Sequence, residues 1–321
     1  MAASNLELPL VDLSGYINPS SEEEKQRVIA DLCDACHKFG FVQVKGHGIP
    51  LQTQREFLKA LPNLFSLPRE EKMKLSFLNS TGRRGYEGSG DSMREGDKLH
   101  DAKEAFYIGR ECPTIEPPGF HCPNLWPSLP SADFKDPVMA YYEETNRLGR
   151  TIWEMLIQGL GHPASLVDDF ARKPVVMMKM IRYPPFSKTL PGQFGVGPHT
   201  DFGGVTTLIQ EPGKEGLEVL DEERDEWFPV PAIEDVFVIN MGDMIQKWSG
   251  GHYRSAKHRV IYKGEDDRLS CATFWHGDLE AKNPLNPANP GDGTVAQLLV
   301  KRFGSQFSVP KPFVDEVLAA A

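Results

Sequence analysis

The sequence predicts a mixed α/β (α+β) protein in which helices pack around an antiparallel β-sandwich or barrel. Three observations carry that prediction. The chain has 321 residues, 40% hydrophobic and 25% charged, which is ordinary globular usage and enough to bury a sizeable core. From residue 174 onward, short runs rich in branched and aromatic residues alternate with Gly, Pro and Asp turns, the pattern of antiparallel strands. Upstream, apolar residues recur instead at helical spacings.

Each element has its own signal. PLVDL (9–13) reads as a short strand. From Ser21 an amphipathic helix runs to Gly40, with acids in its first turn and Val28, Leu32, Ala35 and Phe39 along one face. FVQVKGHG (41–48) is a second strand ending in a glycine-bounded turn. Residues 51–65 and 68–76 are helical, Pro68 opening the second. The glycine-rich, charged stretch 79–102 is expected to be a long surface loop that helps cover a pocket, and KEAFYIG (103–109) a strand. An irregular, proline-rich stretch (112–137) leads to a long helix over about 138–160. The strand-rich part then runs to RLSCATFW, and a final amphipathic helix spans roughly 294–306. Residues 1–120 are expected to form a helix/strand region packing on the core and covering its site. Residues 121–321 form the sandwich with its C-terminal helix, the two making one compact unit.

Composition narrows the function. The formal charge is −10 and the pI about 5.4, with no Lys/Arg run on a predicted helix, so a nucleic-acid backbone is a poor partner. The start lacks the basic and apolar regions of an export signal, and no apolar run is long enough to span a bilayer. Five cysteines at irregular spacings argue against a disulfide framework and for a reducing cytoplasm. Cys33-Asp-Ala-Cys36-His37 matches the C-x-x-C-H pattern of haem attachment. It falls within the predicted helix, beside its apolar face, where the two cysteines read as small packing residues.

The chemistry is concentrated in GPHTDFGG (197–204). In an extended strand, residues i and i+2 share a face, so His199 and Asp201 can offer an imidazole and a carboxylate to one ion. H-x-D alone is common and weak. A third ligand has three downstream candidates, His252, His258 and His276. A hairpin centred near Glu265 places His258, Tyr262, Arg268 and Ser270 on one side of a sheet, which favours His258. Two histidines and one carboxylate leave open positions on an octahedral ion, the arrangement of non-haem Fe(II) oxygenases. Arg268 can then clamp the distal carboxylate of a chelating 2-oxo acid such as 2-oxoglutarate, with the Ser270 hydroxyl as a further donor.

On RGY (84–86), DAKEAFYIG (101–109), IRYPP (181–185), GPHTDFGGVTTLIQ (197–210), INMGDMIQKWSGGHYRSAKHRV (239–260) and Arg268-Leu269-Ser270, the chain resembles the isopenicillin N synthase-like family of Fe(II)/2-oxoglutarate-dependent dioxygenases over almost its whole length. The resemblance implies a double-stranded β-helix (jelly roll) core flanked by helices. It implies His199, Asp201 and His258 as iron ligands, and Arg268 and Ser270, assisted by Tyr183, as anchors of 2-oxoglutarate. The implied reaction hydroxylates, desaturates or cyclises a small-molecule metabolite of specialised metabolism. It consumes O2 and releases succinate and CO2, with ascorbate a candidate reductant. Arg84, Tyr86, Lys179, Arg182, Phe274 and His276 are the candidate substrate contacts. Two other readings stay open at this point: an isopenicillin N synthase-like oxidase that takes no 2-oxoglutarate, and a catalytically silent jelly-roll binding protein. No feature sets the oligomeric state.

Overall fold

The structure, a computed structural model, describes residues 7–91, 99–116, 118–291, 293–303 and 311–319. In chain order it begins β1 (Leu10–Asp12), α1 (Ser14–Ile17), α2 (Glu22–Lys38), β2 (Phe41–Lys45), α3 (Leu51–Phe65), α4 (Arg69–Met73), β3 (Gly85–Glu87) and β4 (Glu104–Gly109). There follow α5 (Lys135–Gly159), α6 (Leu166–Phe170), β5 (Pro174–Tyr183), β6 (Val196–His199), β7 (Val205–Gln210), β8 (Leu217–Asp221) and β9 (Glu226–Pro229). The chain closes with β10 (Phe237–Met241), α7 (Asp243–Trp248), β11 (His258–Val260), β12 (Arg268–Asp278), α8 (Val295–Phe303) and α9 (Lys311–Ala319). Two compact units result, one of Met1–Gly48, Ser89–Lys103 and Arg182–Ser270, the other of Ile49–Gly88, Glu104–Ile181 and Cys271–Ala321.

In the first unit the strands run β1-β2-β10-β7 and then the opening residues of β12, and a separate sheet has the order β6-β11-β8-β9. Helix α2 starts where the sequence places it. The Ser21 hydroxyl accepts the Glu24 N–H at 3.1 Å, three glutamates fill the first turn, and Gly40 turns the chain at φ +66°. No other residue fits at Gly40, because a Cβ there would stand 2.4 Å from the Arg254 carbonyl oxygen. Cys33 and Cys36 are buried in this helix and in no disulfide, the Tyr253 hydroxyl donating to Cys33 Sγ at 3.3 Å. They pack, as the helix pattern predicts.

In the second unit the remainder of β12 is followed by β5, β4 and β3. Helix α5 buries a stripe from Val138 through Tyr141, Thr145, Leu148 and Ile152 to Leu156, the i, i+3/i+4 spacing of one face. Phe57 of α3 stacks on Tyr141 with ring centroids 3.9 Å apart. Gly149 leaves room for Trp275, whose Cδ1 lies 2.5 Å from where a Cβ would be.

Three expectations are revised. The loop 79–102 contains a strand, β3, paired with β4, while its residues 92–98 lie outside the described residues. The hairpin centred near Glu265 does not form: β11 is held on both edges by β6 and β8, and β12 belongs to the other strand order. The last predicted helix appears as α8, with 304–306 outside the described residues. Among the described residues no helix is long and apolar enough to cross a membrane.

Candidate metal centre

The third histidine is selected by strand register. β11 pairs antiparallel with β6 so that His258 stands directly opposite His199, and cross-strand neighbours share a face. Their ring centroids are 4.1 Å apart. Asp201 completes the set: its Oδ1 lies 3.7 Å from His199 Nε2 and 3.9 Å from His258 Nε2. One donor atom from each residue fits within 4.8 Å of the others, a spacing that can hold a metal ion.

Both imidazoles are turned the same way. His199 Nδ1 lies 2.9 Å from the Gly197 carbonyl and His258 Nδ1 3.2 Å from that of Ala256. A carbonyl only accepts, so each Nδ1 carries a proton, and Nε2 is the ring nitrogen left facing Asp201. Burial by itself raises the Asp201 carboxyl. The facing His258 and His199, with Asn240 and Thr206, outweigh it and hold the group below the usual carboxylate value.

Asn240 and Thr206, which sequence reasoning missed, are the residues that orient Asp201. β6 ends at His199, so the strand itself does not aim Asp201. Instead the Thr206 hydroxyl and the Asn240 amide each donate to Asp201 Oδ2 at 2.8 Å, leaving Oδ1 toward the histidines. Thr206 and Asn240 are cross-strand partners in the β7–β10 pairing, which is why both reach one oxygen. The next residues of INMGDM fasten the loop. Asp243 N–H donates to the Asp201 carbonyl at 2.7 Å and Met244 N–H to that of Phe202 at 3.0 Å, so the unpaired amides that open α7 find partners. The Asp243 carboxylate also accepts from Thr200 Oγ1 at 3.2 Å and Ser255 Oγ at 2.7 Å, tying together the segments that carry all three residues. The signal available in the sequence was Asn240, the single polar residue of the strand FVINM.

Arg268 is 1% exposed. Its Nε donates to the Lys214 carbonyl and its Nη2 to Gln210 Oε1, both at 2.8 Å. Nη1 is buried without a hydrogen-bond partner, and no carboxylate pairs with this guanidinium among the described residues. Burial lowers its pKa from the ordinary arginine value, against the pull of Tyr183. The guanidinium carbon sits 4.8 Å from the Tyr183 ring centroid, and the Tyr183 side chain lies beside both Arg268 and Ser270. A buried cation with one unsatisfied donor nitrogen, beside two hydroxyls, has the chemistry to receive a small carboxylate.

The candidate substrate contacts are distributed. Arg182, in the first unit, bonds Asp267 with Nε at 2.7 Å and Nη2 at 3.1 Å. In the second unit Arg84 is buried with Nη1 on the Gly82 carbonyl at 2.6 Å and Nη2 on that of Phe120 at 2.8 Å. The Tyr86 hydroxyl donates to Glu104 at 2.5 Å. Lys179 pairs with buried Glu87 at 3.5 Å and lies over the Tyr107 ring. Phe274 is half-buried, and His276 is buried against a small cavity that Arg84, Phe120 and Met177 also line.

Known proteins place this geometry. The sequence model described as the 2OG-Fe(II) oxygenase superfamily matches residues 175–277, and that described as non-haem dioxygenase in morphine synthesis N-terminal matches residues 8–129. The chain is 59% identical over 317 residues to the 2-oxoglutarate-dependent dioxygenase thnC of Trichoderma harzianum, with 99% of each chain covered. It is 44% identical over 311 residues to the 2-oxoglutarate-dependent dioxygenase caaD of Aspergillus niger, with 97% of each covered. A full-length Neurospora crassa protein, solved in complex with alpha-KG and thymine, superposes with a TM-score of 0.80 at 25% identity, over 95% of this chain and 98% of that one. The fold is thus that of the jelly-roll oxygenases, and the chain belongs to the 2OG-Fe(II) oxygenase superfamily as a non-haem dioxygenase that uses Fe(II) and 2-oxoglutarate.

Proposed function

We propose that His199, Asp201 and His258 hold the Fe(II), and that Arg268, Tyr183 and Ser270 hold the distal carboxylate of 2-oxoglutarate. The observation that carries the first assignment is the convergence of two Nε2 atoms on Asp201 Oδ1, each imidazole locked by its Nδ1–H. The spare Nη1 of buried Arg268 supports the second. Bound iron supplies the redox chemistry by which dioxygen and 2-oxoglutarate oxidise a substrate C–H bond, with succinate and CO2 as co-products. The chain's own part is to present neutral imidazoles and one anionic ligand on a single face, leaving the other face open. It also grips the keto acid at its far end, which fixes the orientation of the reacting end.

The substrate is a small molecule, and the net charge of −10 supports a metabolite over a nucleic acid. Five free, buried thiols support a reducing compartment, the cytoplasm. Lys179, Phe274, His276, Arg84, Tyr86 and Arg182 are retained as substrate contacts. Replacing Lys179 by Met is expected to raise KM for the metabolite while leaving the 2-oxoglutarate requirement unchanged.

An anaerobic titration tests the centre. Fe(II) and then 2-oxoglutarate are added to apo-protein while visible absorption is followed. A charge-transfer band that needs both additions is expected. Its absence with iron bound removes the keto-acid assignment, and failure to bind iron removes both.

A further inference from the structure

The ligand strand β6 is held from outside by a short segment of the first unit, residues 100–103 (HDAK). The Ala102 N–H donates to the Phe194 carbonyl at 2.8 Å, and Gln193 Nε2 donates to the His100 carbonyl at 2.9 Å. Between these straps and His199 lies one specific contact. The Asp101 carboxylate, 6% exposed, accepts the Gly197 N–H on Oδ1 at 2.9 Å. Its Oδ2 faces the ammonium of Lys103, itself 4% exposed, at 3.6 Å. A buried carboxylate accepting a backbone N–H makes a charge-assisted bond, stronger than a neutral one.

Gly197 is also the residue whose carbonyl receives the His199 Nδ1–H. One residue is therefore gripped on both sides, its N–H by Asp101 and its C=O by the imidazole. We propose that Asp101 is a positioning residue for His199: it holds Gly197 so that its carbonyl fixes the imidazole's tautomer and rotation, keeping Nε2 aimed at Asp201 Oδ1. This rests on the reading of His199 as a metal ligand. Hydrogen-bond partners of metal-bound histidines orient the ring and set its basicity. Here the partner is the carbonyl of the Gly197–Pro198 peptide, and Asp101 holds the adjoining Val196–Gly197 peptide through its N–H.

Co(II) added alone to the apo-protein reports the centre by its visible absorption, without turnover. Asp101→Ala is expected to weaken Co(II) binding ~10–100-fold. Asp101→Asn, whose amide oxygen can still accept the Gly197 N–H, is expected to remain within about threefold of the unaltered protein. In the metal-free protein, the imidazole nitrogen chemical shifts of His199 should report the Nδ1–H form in the unaltered and Asn proteins and a mixture of tautomers in the Ala variant. A folded Asp101→Ala with unchanged Co(II) affinity and tautomer overturns the proposal. Should that variant not fold, Asp101→Asn decides: unchanged affinity and tautomer support it, and a loss of about tenfold or more overturns it. His199→Ala separates this idea from the one beneath it. If His199→Ala binds Co(II) as tightly as the unaltered protein, the ligand assignment falls and takes the proposal with it. If His199→Ala loses Co(II) while Asp101→Ala does not, only the role of Asp101 is lost.

Discussion

Asp201 shows how one side chain can be specified twice, once for its charge and once for its direction. Its negative charge would balance a bound ion, and its Oδ2 is engaged by Thr206 and Asn240 so that Oδ1 faces the histidines. Asp201→Ala removes the one carboxylate of the proposed ligand set and is expected to abolish turnover and metal-dependent absorption while circular dichroism stays unchanged. Asn240→Ala and Thr206→Val leave the ligands intact but free the carboxylate to rotate. Each is expected to weaken metal binding about tenfold, read by titration of the apo-protein. Arg268→Lys keeps the charge but loses the planar fork, and the compact ammonium cannot reach Lys214, Gln210 and a ligand together. The half-saturating 2-oxoglutarate concentration should rise roughly tenfold or more. A variant that saturates like the unaltered enzyme would remove Arg268 from the carboxylate site.

At the scale of elements, the turn between β10 and α7 is the piece on which the loop of Asp201 rests. Gly242 passes so close to that loop that a Cβ would stand 2.2 Å from the Gly203 carbonyl oxygen, backbone against backbone. No side-chain rotation relieves such a contact. Gly242→Ala is therefore expected to cost about 1–3 kcal/mol in denaturant unfolding and to lower metal affinity, because residues 201–204 must shift with it. Unchanged stability and affinity would show that the turn yields instead of the loop. The sequence announced some elements well: Ser21, three glutamates and Gly40 bound α2 because caps and periodicity act within a few residues. It misled at β11 and β12, where adjacency in the chain suggested a hairpin. Each strand instead finds its partners far away in sequence, β11 with β6 and β8, and no local pattern encodes that choice.

For the molecule as a whole, a buried histidine predicts how stability responds to acid. His121 is 3% exposed, and burial first, then nearby Lys173, pushes its imidazole down to about 4 from an ordinary 6.5. Between those values the unfolded chain holds a proton that the folded protein does not. Stability is therefore full above pH ~6.5 and falls as pH drops toward ~4. The loss from this one group is on the order of 3 kcal/mol. His121→Gln should flatten this part of the profile, measured as the difference between variant and unaltered protein in urea unfolding at acid and neutral pH. Equal slopes for the two proteins would show that His121 accepts its proton in the folded state.

The sequence by itself determined the chemical types and the local frames: a histidine and an aspartate two residues apart, an arginine and a serine two apart, and a helix, α2, begun and ended by its own caps. These depend on spacing within a few residues, which the chain carries directly. Only the tertiary structure decided which histidine joins His199, since that follows from the β6–β11 register, and a one-residue slip would turn His258 to the opposite face. It also decided where the Asp201 carboxylate points, because the amide that turns it comes from Asn240, 39 residues away. Ligand types are a local property of the chain, whereas a ligand's direction is set by strands that meet only after folding.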